Sequence, residues 1–418
     1  MYKNIKYQGI KKTEYLVCLL LLFMSGNPIF RLDFAHYFNV LFAGISIIYL
    51  STHQSQVIRH KKDLNNLFFF LGITICIFIA QYFVFKWNTF PGIVNYLCMI
   101  LWGSITLIII GPNFKYAYLK NITFISIFSL FFWILHLIDS NPFPMFDYGA
   151  GETILFYTRR YTETVRNCGA FWEPGAFGCY ILFVPLFFIN ELNILWKQYK
   201  KECIILLIAL LSTQSTTAYL SMGSFIILYV ILKIKSRIKY IFIPLLVAIS
   251  IYAFNNLTFL SEKISTQTER ALAAEGEFDS SRLGTLLFDL HYINKHPIIG
   301  NGLNERTRYE DHLYLIQMWA DRDIHMAGNG FSDTLARMGL IYCFFFVFFF
   351  KKNNMQLTVK EHILFFLLFI MLLQGEPLMN YPLALSLPFI KLIRYIPKDN
   401  NIKKLNKYQY FGKFLPKD

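Results

Sequence analysis

Apolar runs of roughly 20 residues recur along the whole chain, separated by short polar breaks. They fall near 13–30, 33–51, 64–85, 91–111, 120–138, 170–190, 238–256, 330–350, 358–374 and 378–396. At about 1.5 Å of rise per residue, runs of that length span the hydrocarbon core of a bilayer. The stretch 203–232 is too long for one helix and is flanked by lysines on both sides, Lys197 to Lys201 and Lys233 to Lys239. With both flanks inside it crosses twice, turning at Ser212-Thr213-Gln214-Ser215-Thr216-Thr217. The pattern predicts an all-α polytopic membrane protein of about twelve transmembrane helices with both termini cytoplasmic. Arg59-His60-Lys61-Lys62, Lys351-Lys352 and the basic tail from Lys398 then all lie on the inner side. Met1 to Phe30 resembles a signal peptide but lacks a small-x-small cleavage site, so it is read as a retained first helix.

This reading divides the chain into six regions. N-terminal transmembrane helices occupy 1–138, an outer loop with arginines 139–169, and central transmembrane helices 170–256. A large outer loop occupies 257–329, C-terminal transmembrane helices 330–396, and a basic cytoplasmic tail 397–418. Both outer loops exceed ordinary connection length. The larger contains an amphipathic helix. Leu283, Leu286, Leu287, Leu290 and Ile293 recur at helical spacing opposite Arg282, Thr285, Asp289 and Tyr292, with Asp279 or Ser280 as cap. It is expected on the membrane surface, leucines down, ended by Pro297 and Gly300-Asn301-Gly302.

Composition supports the membrane reading, with 55% hydrophobic residues, 44 phenylalanines and only 16% charged residues. The net charge of +14 does not point to nucleic acid, because the lysines cluster between apolar runs where positive-inside topology requires them. Six of the seven cysteines sit in apolar segments as small hydrophobes, and only Cys168 lies beside a polar motif. No CxxC, metal-spaced His/Cys cluster, Walker loop, dinucleotide fingerprint or zincin motif occurs.

Charge type changes the picture more than charge number. The chain has 27 lysines and 13 arginines. Yet the outer loops carry Arg159, Arg160, Arg166, Arg270, Arg282, Arg306, Arg308 and Arg322 against only Lys263 and Lys295. A guanidinium binds phosphate oxygens in pairs and stays charged when partly buried, so the bias points to an anionic ligand at the outer face. The plainer alternative is exclusion of lysine from outer loops. The densest motif is Arg166-Asn167-Cys168-Gly169-Ala170-Phe171-Trp172-Glu173-Pro174-Gly175-Ala176-Phe177-Gly178, where an arginine-bearing loop runs into an apolar segment. Further on, Asp333 and Arg337 stand one turn apart at a span entrance, either facing a cavity or pairing with each other.

Four landmarks in the second half give the chain a resemblance to the O-antigen polymerase and O-antigen ligase superfamily, the Wzy-type polysaccharide polymerases. Arg166 with Gly169-Ala170-Phe171 and Glu173-Pro174-Gly175 looks like the family's arginine-glycine-phenylalanine entry to a span, and Ser212-Thr213-Gln214-Ser215 is similar to its Thr-x-Ser turn. Ser281-Arg282, His296-Pro297 and Gly300-Asn301-Gly302 are similar to its Arg, His-Pro, Gly-x-Gly loop. Asn329, Gly339 and Tyr342 resemble the ligase ending. The ligase-type histidine would fall at Gly328, which cannot act as a base; His325 lies three residues upstream. That departure tilts the reading toward polymerase.

The resemblance implies a metal-independent membrane glycosyltransferase, without cofactor, in the bacterial inner (plasma) membrane. Its substrate would be an undecaprenyl-diphosphate-linked oligosaccharide drawn from the lipid bilayer, with a chain-length regulator as a candidate partner and no nucleic acid. Catalytic candidates are Arg166 and Arg282 for the departing diphosphate, and Glu173 and His325 for the acceptor hydroxyl. Arg159, Arg160, Asn329, Arg337 and Ser215 are the substrate-binding candidates. The rivals are a ligase acting on lipid-A core or protein, and a transporter of the lipid-linked oligosaccharide. A transporter is expected to show two similar halves and mid-membrane polar residues, and no internal repeat is visible.

Overall fold

The computed structural model describes residues 10–31, 35–85, 90–139, 142–162, 165–233, 244, 282–304 and 329–393. The expected span 238–256, most of the 257–329 loop and the tail 397–418 lie outside these residues. The first helices are α1 (Lys12–Met24), α2 (Ala35–Thr52), α3 (Gln54–Phe85), α4 (Phe90–Ile110) and α5 (Phe114–Ile138). Three short strands follow, β1 (Phe146–Asp147), β2 (Gly151–Ile154) and β3 (Tyr157–Arg160), forming an antiparallel sheet in the order β1-β2-β3. Next come α6 (Pro174–Phe187), α7 (Leu192–Gln198), α8 (Lys200–Ser212) and α9 (Thr216–Lys233). The last are α10 (Arg282–Lys295), α11 (Gly330–Asn353), α12 (Val359–Gly375) and α13 (Pro382–Ser386).

Among the described residues, four helical stretches are long and apolar enough to cross a membrane: Gln54–Phe85, Phe90–Ile138, Thr216–Lys233 and Gly330–Asn353. A fifth arises if Pro174–Phe187 and Leu192–Gln198, bent by 107° against each other, count as one span. Phe90–Ile138 is broken at Gly111, which takes φ +59. The break leaves helices of 21 and 25 residues, each near bilayer length. As expected, the stretch 203–232 folds as two helices around the hydroxyl-rich turn.

Several expectations need correction. The chain is not purely α: the loop 139–169 holds the three-stranded sheet, whose alternating strands are too short to stand out from their polar surroundings. The basic cluster Arg59 to Lys62, read as a connection, lies inside α3, because nothing in it breaks a helix. Of the expected span 378–396, the described residues 378–393 do not form one helix. They pass through a 3₁₀ turn at Leu378–Asn380, the short α13, and a second 3₁₀ turn at Leu387–Phe389. Irregular backbone at membrane depth is tolerated only where protein covers it. Here Leu378, Leu383, Leu385, Leu387 and Phe389 are buried, packed against α4 and α11.

A second break falls inside α11, at Gly339 (φ +71). The loop after α10 fills it: Leu340 N donates to Pro297 O at 2.8 Å, Ile341 N to Ile298 O at 3.2 Å and Gly302 N to Arg337 O at 3.0 Å. Gly300 and Gly339, both at φ +71, meet backbone to backbone, and a Cβ on either would overlap the opposite chain. The Gly-Asn-Gly landmark is thus a backbone joint. Gln81, near the end of α3, closes it by donating to Ile299 O at 2.6 Å and Arg337 O at 2.8 Å.

On the apolar stripe of α10, Leu287 and Leu290 are exposed, whereas Leu286 is half-buried and Ile293 packs against Tyr292 and Ala336. The polar stripe of the helix is buried. Asp289 accepts from Ser332 Oγ at 2.6 Å, and Thr285 and Tyr292 are covered as well, so polar contacts dock this helix on α11.

Candidate functional site

Helix direction sets where the polar residues collect. The ends of α1, α3, α5, α8 and α12 meet the starts of α6, α9, α11 and α13 at one end of the bundle. Sequence order around that end begins with the loop 166–175, which is stitched to the turn after α8. Asn167 is buried, donates from its backbone to Ser212 O at 3.1 Å and from Nδ2 to Ser212 Oγ at 3.0 Å, and accepts from Gly169 N at 2.8 Å. Arg166 Nε donates to Thr213 O at 3.1 Å. Gly169, at φ +59, lies so close to the Phe177 ring that a Cβ would stand 2.6 Å from it. From the far side, Asn27 after α1 donates to Ala170 O at 2.8 Å and Leu155 O at 3.0 Å, fixing both loop and sheet.

The sheet carries two arginines to this loop. Arg160 Nη1 pairs with Glu173 Oε2 at 3.2 Å, and Arg159 lies 3.8 Å from Glu152 on the neighbouring strand. Tyr157 on the same strand is fully covered; burial holds its phenol above the usual range, so it acts as a neutral wall. Glu173 occupies the residue before Pro174 at the start of α6, in extended conformation and with no side-chain cap bond to its own helix. Its carboxylate is therefore directed to Arg160.

Ser215 works first as a cap: its N–H donates to Thr213 Oγ1 at 3.2 Å and its Oγ accepts from Ala218 N at 3.3 Å. Asn329 is likewise the cap of α11, accepting at Oδ1 from Phe331 N at 3.1 Å and Ser332 N at 3.2 Å. Arg337 pairs with Asp333 at 2.6 Å, one turn away, and also donates to Asn380 Oδ1. Of the two alternatives for Asp333 and Arg337, the internal pair is the one formed. The side chains of Arg282, which opens α10, and His325 lie outside the described residues.

Sequence reasoning missed the segment that joins these parts. Residues 375–381 looked like a turn between two spans. Glu376 is 0% exposed, and its Oε1 sits against Gly175, where a Cβ would overlap it and would also lie 3.6 Å from Ser215 Oγ. The Glu376 backbone carbonyl lies as closely against Gly330, and Gly375 packs on Thr217. Asn380 holds Arg337, and Tyr381 stacks on Trp172 with centroids 4.8 Å apart. One signal was available: Glu376-Pro377 repeats the Glu173-Pro174 dipeptide, and a carboxylate between two apolar runs is expensive.

With the geometry in place, residues 203–347 match the family model described as O-antigen ligase. This segment is O-antigen ligase-like. The match covers about a third of the chain and takes in the hydroxyl turn, α10, its Gly-Asn-Gly loop and most of α11. It agrees with the O-antigen polymerase and ligase superfamily suggested by the landmarks. Arg160, Arg166 and Glu173 stand outside the O-antigen ligase-like segment, and Arg166 reaches it through Thr213. No curated protein matches the chain.

Proposed function

We propose that this protein is a polysaccharide polymerase that moves a glycan from undecaprenyl diphosphate to a sugar hydroxyl of a second lipid-linked repeat unit. The observation that carries the reading is the bond from Arg166 to Thr213, which ties the arginine-bearing loop to the turn of the O-antigen ligase-like segment. Arg160 pairs with Glu173, and Arg166 lies on the loop that leads to Glu173 and bonds the hydroxyl turn; such cations suit a diphosphate leaving group. In the step, the acceptor oxygen attacks the anomeric carbon and gives its proton to Glu173. The bond from that carbon to the diphosphate oxygen breaks, and the electron pair leaves with the diphosphate. Arg166 and Arg282 stabilise the departing charge, Arg159 and Arg160 hold the remaining phosphate oxygens, and His325 is the second candidate base. No metal or cofactor takes part in this scheme.

The topology that goes with it is about twelve spans in the bacterial plasma membrane, both termini cytoplasmic and the arginine end outside. The family description favours one other reading, a ligase with a different acceptor. Gly328, where a ligase-type histidine would stand, argues against it. Purified protein in vesicles with lipid-linked repeat units separates the readings. Laddered products are expected; a single transfer to lipid-A core would make it a ligase, and movement of substrate without a new glycosidic bond a transporter.

A further inference from the structure

Three helices begin around one buried carboxyl group. The start of α6, at Gly175, stands against the Glu376 side chain and next to Ser215 before α9; Gly375 packs on Thr217 in the first turn of α9; and the start of α11, at Gly330, stands against the Glu376 carbonyl. The first turns of α9 and α11 are capped by Ser215 and Asn329, so Glu376 acts there by packing, while the positive end of the helix dipoles favours a carboxyl group beside them. Burying a carboxyl group is costly, and an apolar side chain would fill the space more cheaply. This carboxyl group stands where α6 is preceded by Glu173, α9 follows Ser215, and α11 is capped by Asn329. The same short segment, through Asn380 and Tyr381, holds Arg337 and Trp172.

We infer that Glu376 is a positioning residue for the transfer site: its buried carboxyl group fixes the first turns of α6 and α9 against each other, and its carbonyl fixes the start of α11, so that Glu173, Ser215 and Asn329 keep one geometry. It acts through these residues rather than on substrate. Gly175 and Gly330 are glycines for this reason, since a methyl group on either would push the segment away.

The inference rests on the glycan-transfer reading, and the test keeps the two apart. In Glu376→Gln, which keeps shape and replaces the carboxyl group by an amide, kcat should fall at least tenfold while KM for the lipid-linked donor moves less than threefold. Amide hydrogen exchange in the first turns of α6, α9 and α11 should quicken, with exchange at their opposite ends unchanged. Gly175→Ala should be as damaging as Glu376→Gln, and Gly175→Ala combined with Glu376→Ala no worse than Glu376→Ala alone. Unchanged exchange, or quickened exchange with unaltered kcat, overturns the inference and leaves the transfer reading standing. A double variant in which the two losses multiply also overturns it. A wild-type protein that forms no glycosidic bond overturns the transfer reading, and this inference with it.

Discussion

The two ends of the helix bundle form their charged contacts with different cations. At one end, Lys115 pairs with Glu191 at 2.7 Å, Lys120 with Glu202, Lys233 with Glu361 and Lys391 with Asp63, while Lys352 donates to Asn66 at 2.9 Å. At the other, among the described residues, Arg159 pairs with Glu152, Arg160 with Glu173 and Arg337 with Asp333. The lysine contacts tie one helix end to another and close the bundle. The arginine contacts sit on the sheet, the loop 166–175 and the start of α11, where the chain turns most irregularly. An ammonium is a point charge that suffices to hold two helix ends. A planar guanidinium can hold a carboxylate and still offer N–H groups to a phosphate. On the proposed transfer reading, the contrast separates charge used for topology and packing from charge that would meet a ligand.

Swapping cation types should therefore matter at one end only. The largest effect is expected where the arginine end meets chemistry. Glu173→Gln should lower glycan transfer about 10³-fold, in the range of a lost general base, with normal insertion; a variant within threefold of wild type in a vesicle ladder assay would remove Glu173 from the reaction. Arg166→Lys keeps the charge and loses the fork, and should cost roughly 10²-fold. Normal chain-length ladders from that variant would erase the distinction between the ends.

Next in size is a stability effect at the lysine end. The Lys115 side chain is 2% exposed and donates to both Glu191 Oε2 and Leu392 O, each at 2.7 Å. Lys115→Ala takes the ion-pair partner from Glu191, which keeps the Tyr116 hydroxyl as donor, and the Lys115 donor from Leu392 O, and should cost about 3 kcal/mol. Thermal unfolding in detergent reads this, and an unaltered midpoint would contradict a closing role. Gly300→Ala should cost about 2 kcal/mol by forcing apart the joint at Gly339, with a matching drop in transfer because α10 shifts on α11. Limited proteolysis between α10 and α11 should reveal it. The smallest effect belongs to Lys120→Arg. That lysine is 45% exposed beside Glu202, so transfer and stability should both stay within twofold of wild type. A large loss there would show that the lysine end also discriminates between cations.

Much of the helical layout could be read in the residues. The split of 203–232 into two helices followed from its length and its lysine flanks, and the helix after Arg282 followed from the leucine spacing. The pairing of Asp333 with Arg337 was one of two open readings, and i,i+4 geometry allowed it. The sheet at 146–160 was not legible, because strands of two and four residues carry almost no periodicity. Nor was the course of 378–393, since a buried broken segment and a lipid-facing helix demand the same apolar composition. The site divides the same way. Arg166 and Glu173 stood out by residue type, whereas Glu376, Asn380 and Gln81 did not.

By itself, then, the sequence determined which runs are apolar, where lysine and where arginine collect, and where glycines interrupt helices. These are properties of single residues and near neighbours, and the cost of polar groups in a bilayer imposes them locally. Only the tertiary structure decided that Gly175 meets Glu376, that Gln81 reaches the backbone of Arg337, and that Arg337 reaches Asn380. Partners so far apart in the chain are chosen by how the helices pack against one another, and no local period encodes that packing.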